Sequence, residues 1–177
     1  MTKYICFLAL LVLSTISRSF AQSTVAHSTI TFKIKNLGIS ADGTVGGLQA
    51  TVHFNAKDLT SASIDASVDV KTLSTDNSLR DDHIKSDEFF DAARYPKMLL
   101  KSIAIKHKGG NKYTGEFNLT IKNKTKTVEI PFTYDAKGDL SEFAGSFKIN
   151  RLDFGVGDSS LTLSNDVVIS FSAGFRD

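Results

Sequence analysis

Seven segments of the chain alternate polar and apolar residues with a period of two, and this pattern constrains the fold most strongly. In the first segment, STITFKIK, the residues Ile30, Phe32 and Ile34 share one face, while threonines and lysines share the other. Such alternation indicates a β-strand with one buried face. The other six segments are LQATVHF at 48–54, SIDASVDV at 63–70, YTGEFNLTI at 113–121, VEIPFTY at 128–134, FAGSFKI at 143–149 and VVISFSA at 167–173.

An eighth segment, MLLKSIAI, is apolar on both faces and is also predicted to be a strand. Short strands with one apolar face, joined by short turns, favour an antiparallel sheet that closes on itself. We therefore expect an all-β fold, a single antiparallel β-barrel of about eight strands. The predicted turns are ADG at 41–43, AKD at 56–58, KGGN at 108–111, KNKT at 122–125 and AKGD at 136–139.

A barrel of this size either fills with its own side chains or holds one small ligand. The predicted inward positions include four small residues, Ala50, Ala66, Gly115 and Gly145. A solid barrel also alternates small and large residues to fit its taper, so these positions leave both interpretations open. An interaction module with a solid core predicts that no ligand-sized cavity exists.

The stretch SLRDDHIKSDEFFDAARYPKM interrupts the alternation near the middle of the chain. Asn77 or Ser78 can cap a short helix there. We expect a short helical lid near residues 76–92 that lies across one mouth of the barrel with its apolar side down. The apolar residues near helical spacing are Leu79, Ile84 and Phe89.

The first 21 residues read as a secretory signal peptide. Lys3 supplies the positive start, an apolar run follows from Ile5 to Ile16, and small residues precede a cleavage site before Gln22. The run is shorter than the roughly 20 residues of a membrane span. We predict a domain of residues 22–177 without stable membrane insertion, secreted to the periplasm or the medium; a retained N-terminal anchor is the alternative.

The number of cysteines and the net charge further limit the functions that the sequence predicts. The chain has one cysteine, Cys6, and it lies within the predicted signal, so no disulfide is expected in the domain. Removal of Lys3 and Arg18 from the 21 basic residues leaves 19, which equals the 19 acidic ones. A formal charge of zero gives no indication of a nucleic-acid or anionic-membrane partner.

The cluster Arg80, Asp81, Asp82 and His83 is the strongest candidate for catalysis. Neighbours in sequence point to different sides of a helix, and no nucleophile can be identified within reach. We therefore expect structural pairing of these charges and no catalytic residue. A lipid-modifying enzyme that uses this cluster is the alternative. No cofactor and no metal site are expected, because the four histidines are far apart in sequence: His27, His53, His83 and His107.

A second break in the pattern is INRLDFGVGD, in which Arg151 and Asp153 follow a predicted strand. A charged residue at the end of an apolar strand either reaches water or turns inward to meet a partner. We expect an acidic residue of the 80–91 segment to pair with Arg151 and to hold one mouth closed.

Four segments resemble those of the YceI-like family of secreted, lipocalin-like, polyisoprenoid-binding proteins. They are HSTITFKIKNLGIS, SLRDDHIKSDEFFDAARYPKMLLKS, YTGEFNLTIKNKTKTVEIPF and FKINRLDFGVG, in matching order over nearly all of residues 24–175. The resemblance implies an elongated lipocalin-like barrel whose interior holds a long isoprenoid or similar amphiphile, without catalytic apparatus. The matching motif positions are Arg80, Asp81, His83, Phe89, Phe90, Tyr95, Pro96, Asn150, Arg151, Asp153, Phe154 and Gly155.

Together, the alternation and the resemblance predict a carrier for a hydrophobic small molecule: a polyisoprenoid, a quinone-like lipid or a fatty amphiphile. A homodimer is left open. The predicted polar rim consists of Arg80, Asp81, His83, Arg151 and Asp153. The predicted ligand-binding residues of the interior and lid are Phe32, Ile34, Ala50, Val52, Phe54, Ala66, Val68, Phe89, Phe90, Tyr95, Leu100, Phe117, Leu119, Phe132, Phe147 and Phe154.

Overall fold

The structure, a computed structural model, describes residues 24–176. The predicted signal peptide lies outside these residues. Within them, no helix is both long enough and apolar enough to cross a bilayer.

One antiparallel sheet of nine strands forms the body of the molecule. It runs in the order β2-β1-β9-β8-β7-β6-β5-β4-β3, and one short helix, α1, and two 3₁₀ turns connect its strands. The sheet curls around its apolar face, so the predicted all-β, lipocalin-like fold is confirmed. The strands are β1 Thr24–Asn36, β2 Ile39–Thr44, β3 Gln49–His53, β4 Ser63–Asp69, β5 Lys97–Gly109, β6 Lys112–Ile121, β7 Lys124–Lys137, β8 Leu140–Asn150 and β9 Leu163–Arg176; α1 is Ser78–Lys85.

The period-two alternation places the large apolar residues on the concave face. In β6, Tyr113, Phe117 and Ile121 are buried, and the intervening Glu116 is exposed. The strand register keeps buried residues on the same face, because Tyr113 pairs with the equally buried Phe132 of β7. Burial of one face of every strand is therefore what makes the sheet curl on itself.

Strand β2 is the one strand that the alternation did not predict. The ADG sequence at 41–43 lies inside β2 and is not a turn. The turn instead comprises Leu37 and Gly38, both with positive φ, as in a two-residue hairpin. Ala41 and Gly43, on the inner face of β2, are too small to mark a strand by hydrophobic alternation.

The two edge strands, β2 and β3, do not pair with each other within residues 24–176. Residues 69–75, the strap, cover the gap between them. Ser74 exchanges two backbone hydrogen bonds with Thr44 of β2, of 2.8 and 3.0 Å, and Asp69 N donates to Gly46 O at 3.1 Å. Gly43 permits this close approach, because a Cβ there would overlap the carbonyl oxygen of Ser74. The strap thus satisfies edge groups that would otherwise be open to another chain.

Five aromatic rings, the aromatic plug, fill the end of the barrel that contains the β3–β4 loop. The Phe54 ring centroid lies 4.5 Å from that of Tyr134, 5.1 Å from that of Tyr113 and 5.3 Å from that of Phe143. Phe132 stacks on Tyr113 at 5.6 Å. Edge-to-face and offset contacts of this kind are favourable, so this end of the barrel is a packed core.

The predicted lid lies at the opposite end, between β4 and β5. Asn77 caps helix α1 by accepting a 3.0 Å hydrogen bond from Arg80 N through Oδ1. Ile84 and Phe90 pack on the buried strap residue Leu73 and its neighbours. The expectation that Leu79 also points down is wrong, because its side chain is exposed.

Candidate ligand-binding cavity

A cavity of about 840 Å³ lies between the aromatic plug and the lid. All nine strands and the lid contribute to its wall, which is almost wholly apolar. Its polar side chains come chiefly from the lid, the end of β1 and the loop before β9. We call the opening that these segments border the mouth. An interaction module with a solid core predicts no such space, so the cavity contradicts that interpretation.

Most of the predicted ligand-binding residues line this cavity, although contact with a ligand remains a prediction. Ala50 of β3 pairs with Ala66 of β4, and Ala66 also pairs with Leu100 of β5. Two small side chains therefore lie next to each other in the cavity wall. The predicted residues in the wall are Phe32, Ile34, Ala50, Val52, Ala66, Val68, Phe89, Phe90, Leu100, Phe117, Leu119, Phe132 and Phe147.

Three predicted apolar residues lie outside the wall. Phe54 belongs to the plug. Phe154 is 1% exposed and packs in the core beneath the 3₁₀ turn Arg151–Phe154. Tyr95 lies after the lid, where the guanidinium carbon of Arg94 is 5.2 Å from its ring centroid. Phe54 and Phe154 are therefore engaged in core packing, where the sequence analysis expected contact with a ligand.

Gly115 and Gly145 do not add space to the cavity. A Cβ at Gly115 would overlap the ring of Phe117, and one at Gly145 would meet the ring of Phe171 at 2.8 Å. These glycines therefore let an aromatic ring lie flat against the sheet.

Several lining residues were missed by the sequence analysis. Alternation in β9 already marked Val167, Ile169 and Phe171 as inward, so they could have been identified. Ala41 of β2 and Val45 gave no such signal, because they belong to the strand and link that were not predicted. The polar mouth residues of the loop before β9 also gave none: Ser159, Ser160 and Thr162.

A polar latch, formed by Thr75, Arg80 and Asp81, ties the lid to the strap. Arg80 donates through Nε to Thr75 Oγ1 and through Nη2 to Thr75 O, both at 2.7 Å. The Thr75 hydroxyl in turn donates to Asp81 Oδ1 at 2.6 Å, and Thr75 N donates to the same oxygen at 2.7 Å. The hydroxyl bond is the main reason that the pKa of Asp81 lies below its ordinary value. Arg80 also lines the mouth, whereas Asp81 does not.

His83 lines the mouth but is not hydrogen-bonded to Asp81 or Asp82 in the described part of the chain. Its Nδ1 lies 3.7 Å from Glu88 Oε2, and its ring centroid is 4.9 Å from that of Phe89. Arg80 and Asp81 thus bond to Thr75 and not to each other, so the expected direct pairing of these charges is not seen among the described residues. Among residues 24–176, no three His, Cys, Asp or Glu side chains gather into a metal site.

Arg151 is a buried structural residue at the mouth, only 3% exposed. Its guanidinium donates to the carbonyl oxygens of Val156 and Asp158 at 2.8 Å and to that of Ser164 at 3.0 Å. Burial lowers the pKa of Arg151, and the charge of Asp158 opposes this effect.

The expectation that Arg151 pairs with an acidic residue of segment 80–91 is wrong, because oxygens of the following loop and of β9 accept its hydrogen bonds. Asp153, also predicted at the rim, is exposed on the 3₁₀ turn and does not line the mouth. Phe89 of the lid instead contacts this loop at Gly157, where φ is +63° and an added Cβ would lie 2.8 Å from its ring.

This arrangement suits a ligand with one long apolar part and one polar end. The apolar wall excludes water from the deep part of the cavity, and the mouth offers both hydrogen-bond donors and acceptors. Apolar area removed from water there would supply most of the binding free energy.

Similar structures include BcnA of Burkholderia cenocepacia, with a TM-score of 0.79 and 28% identity over 83% of this chain and 95% of that one. A polyisoprenoid binding domain from Saccharophagus degradans implicated in plant cell wall breakdown has a TM-score of 0.71. It shares 11% identity over 88% of this chain and 97% of that domain, and this likeness concerns the fold alone.

Sequence comparison identifies relatives with somewhat higher identity to this chain. A UPF0312 protein of Pseudomonas syringae pv. syringae is 31% identical over 151 residues, which are 80% of this chain and 79% of that protein. The model of the YceI-like domain matches residues 22–175. The chain therefore belongs to the YceI-like family.

Proposed function

We propose that this protein binds one long isoprenoid, or a similar amphiphilic lipid, inside the cavity and carries it outside the cytoplasm. The observation that carries the proposal is the apolar cavity of about 840 Å³, closed by aromatic rings at one end and polar chiefly at the mouth. This volume lies within the range of about 300–1,000 Å³ that is typical of ligand pockets.

The volume limits the length of the lipid. At roughly 30 Å³ per non-hydrogen atom, the share of a water molecule in the liquid, the cavity holds about 28 atoms, or between five and six prenyl units. Burial of one five-carbon unit contributes about 4 kcal/mol at roughly 0.8 kcal/mol per carbon. Three or four units therefore offset most estimates of the association cost, about 4–15 kcal/mol.

Two further observations support the carrier role. The chain belongs to the YceI-like family, and the Saccharophagus degradans domain of the same fold is described as polyisoprenoid binding. The signal-like sequence of residues 1–21 supports export. The proposal assigns no catalytic step to the cluster at 80–83, and it includes quinone-like lipids and fatty amphiphiles, which present the same apolar chain to the wall.

The test compares two phenylalanine substitutions on strand β4. Ala66→Phe would fill the cavity between Ala50 and Leu100, whereas Asp65→Phe adds the same side chain on the outer face, next to Lys101. Each protein is expressed with its N-terminal segment and purified in the exported form. Intact mass is measured under native and denaturing conditions, and bound lipid is extracted and identified.

We expect a stoichiometric lipid in the wild type and in Asp65→Phe, and loss of most of it in Ala66→Phe. Thermal unfolding establishes that all three proteins are folded. A folded wild-type protein that is empty and cannot be loaded with prenyl lipids would refute the proposal. Retention of lipid by a folded Ala66→Phe protein would place the ligand elsewhere.

A further inference from the structure

Four large apolar side chains project into solvent around the mouth, and we call them the apolar rim. Leu37 and Ile39 are each 74% exposed, Leu79 is 82% exposed and Leu161 is fully exposed. They come from three separate segments: the β1–β2 hairpin, helix α1 and the loop before β9. Single exposed apolar residues are common, but a group around one opening indicates an interaction surface.

The rim continues the apolar wall of the cavity outward. Ile39 is on the same face of β2 as Ala41, which lines the cavity. Leu79 is one helical turn before the mouth residue His83. The hairpin and the loop are fixed to each other, because Leu37 N donates to the carbonyl oxygen of Thr162 at 2.8 Å. The three segments therefore form one apolar border around one opening.

The backbone at Leu37 is a second, independent indication. Its φ of 52° lies in the left-handed region, which glycine and asparagine adopt easily and leucine rarely does. The side chain packs against no core cluster of the described residues and is exposed. Neither turn geometry nor core packing favours leucine here, whereas a surface that buries the side chain on contact does.

We propose that the apolar rim docks the mouth on the surface of a lipid bilayer with electrically neutral headgroups. Its role in loading the cavity rests on the proposed function; the docking itself does not. The mouth has no uncompensated positive face, because Glu88 and Asp158 line it together with Arg80 and Arg151, and both arginines are engaged in hydrogen bonds. Attachment thus comes from insertion of apolar side chains and is nearly independent of salt.

The test uses a fluorescent reporter that the chain does not otherwise contain, because it has no tryptophan. Leu161→Trp places an indole on the rim, and Ile103→Trp places one on the exposed outer face of β5 as the matched control. The full chain carrying each substitution is mixed with phosphatidylcholine vesicles, with and without brominated acyl chains, at low and high salt.

We expect blue-shifted emission and quenching by brominated lipid for Leu161→Trp alone, at both salt concentrations. Adding Leu37→Ser and Leu79→Ser to the reporter should lower its vesicle partition coefficient about a hundredfold, since each leucine contributes roughly a factor of ten when buried. All three positions are exposed, and melting curves check that the variants fold.

Three results would overturn the docking proposal: no response of Leu161→Trp, an equal response of both reporters, or a blue shift without vesicles that grows with protein concentration. The third would assign the rim to a contact between two copies of the chain. Lipid extraction from the same proteins, before vesicles are added, separates the two proposals. A protein that inserts its reporter but is empty and cannot be loaded with prenyl lipids would refute the carrier role alone, and a loaded protein that does not insert would refute docking alone.

Discussion

Arg151 should be a major source of stability at the mouth, and Arg151→Met tests this. Methionine keeps most of the apolar length of the side chain but donates no hydrogen bond. Three carbonyl oxygens lose a charged donor, and that of Val156 is buried. A hydrogen bond to a charged group contributes about 1.5–3 kcal/mol, and the two partly buried carbonyls can regain water. Removing the charge also removes the free-energy cost of burying it, so we expect the free energy of unfolding to fall by a net amount of about 3 kcal/mol.

The assay is urea and thermal unfolding of the wild type, Arg151→Met and the exposed control Arg94→Met. A loss of about 3 kcal/mol corresponds to a melting temperature lower by roughly 6–12 °C for a domain of this size. The control should stay within about 0.5 kcal/mol of the wild type. A loss below about 1 kcal/mol in Arg151→Met would refute the reasoning, because the desolvation of the guanidinium would then offset its hydrogen bonds.

The polar latch, the loop at the mouth and the aromatic plug each give a further prediction. The latch lowers the folded-state pKa of Asp81 below its unfolded value, so the stabilisation is present above about pH 4 and is lost as the pH falls through the folded pKa. Melting temperatures of Asp81→Asn should lack this acid-dependent loss; an identical profile would contradict it. Gly157→Ala should lower the free energy of unfolding in urea more than Gly138→Ala, since φ is positive at both but only the first meets Phe89. Equal losses would exclude that contact. Phe54→Ala should cost about 3 kcal/mol in thermal unfolding and admit a longer lipid, as identified by extraction; an unchanged lipid length would contradict the role of the plug.

The fold was largely predictable, because a strand with one buried face alternates apolar and polar residues in the sequence. β6 is the clearest case, with inward residues from Tyr113 to Ile121. β2 left no such trace, since its inner face carries Ile39, Ala41 and Gly43, and the strap covers its edge. Its stability comes from pairing with β1 and from the strap, and neither is visible in the residues of β2 itself.

The candidate site was predictable as a set of apolar positions but not as a shape. Alternation assigns Phe54 and Phe117 equally to the interior, yet one fills the plug and the other lines the cavity. That difference depends on which rings meet across the barrel, and sequence spacing does not encode it. The same limit applies to Arg151, because three of its four acceptors are backbone carbonyls that any residue type could supply.

Under the proposed carrier function, the aromatic plug would also determine how one bound lipid replaces another. In residues 24–176 the rings close the far end, so an arriving molecule cannot push the resident one out from behind. The apolar end of the lipid must enter the cavity first and leave it last. The cavity must therefore empty before a second molecule can enter. Exchange should then proceed at the rate at which the bound molecule escapes, whatever the concentration of the newcomer. A compartment that offers abundant cargo would speed the filling of empty carriers but would not hasten delivery by full ones.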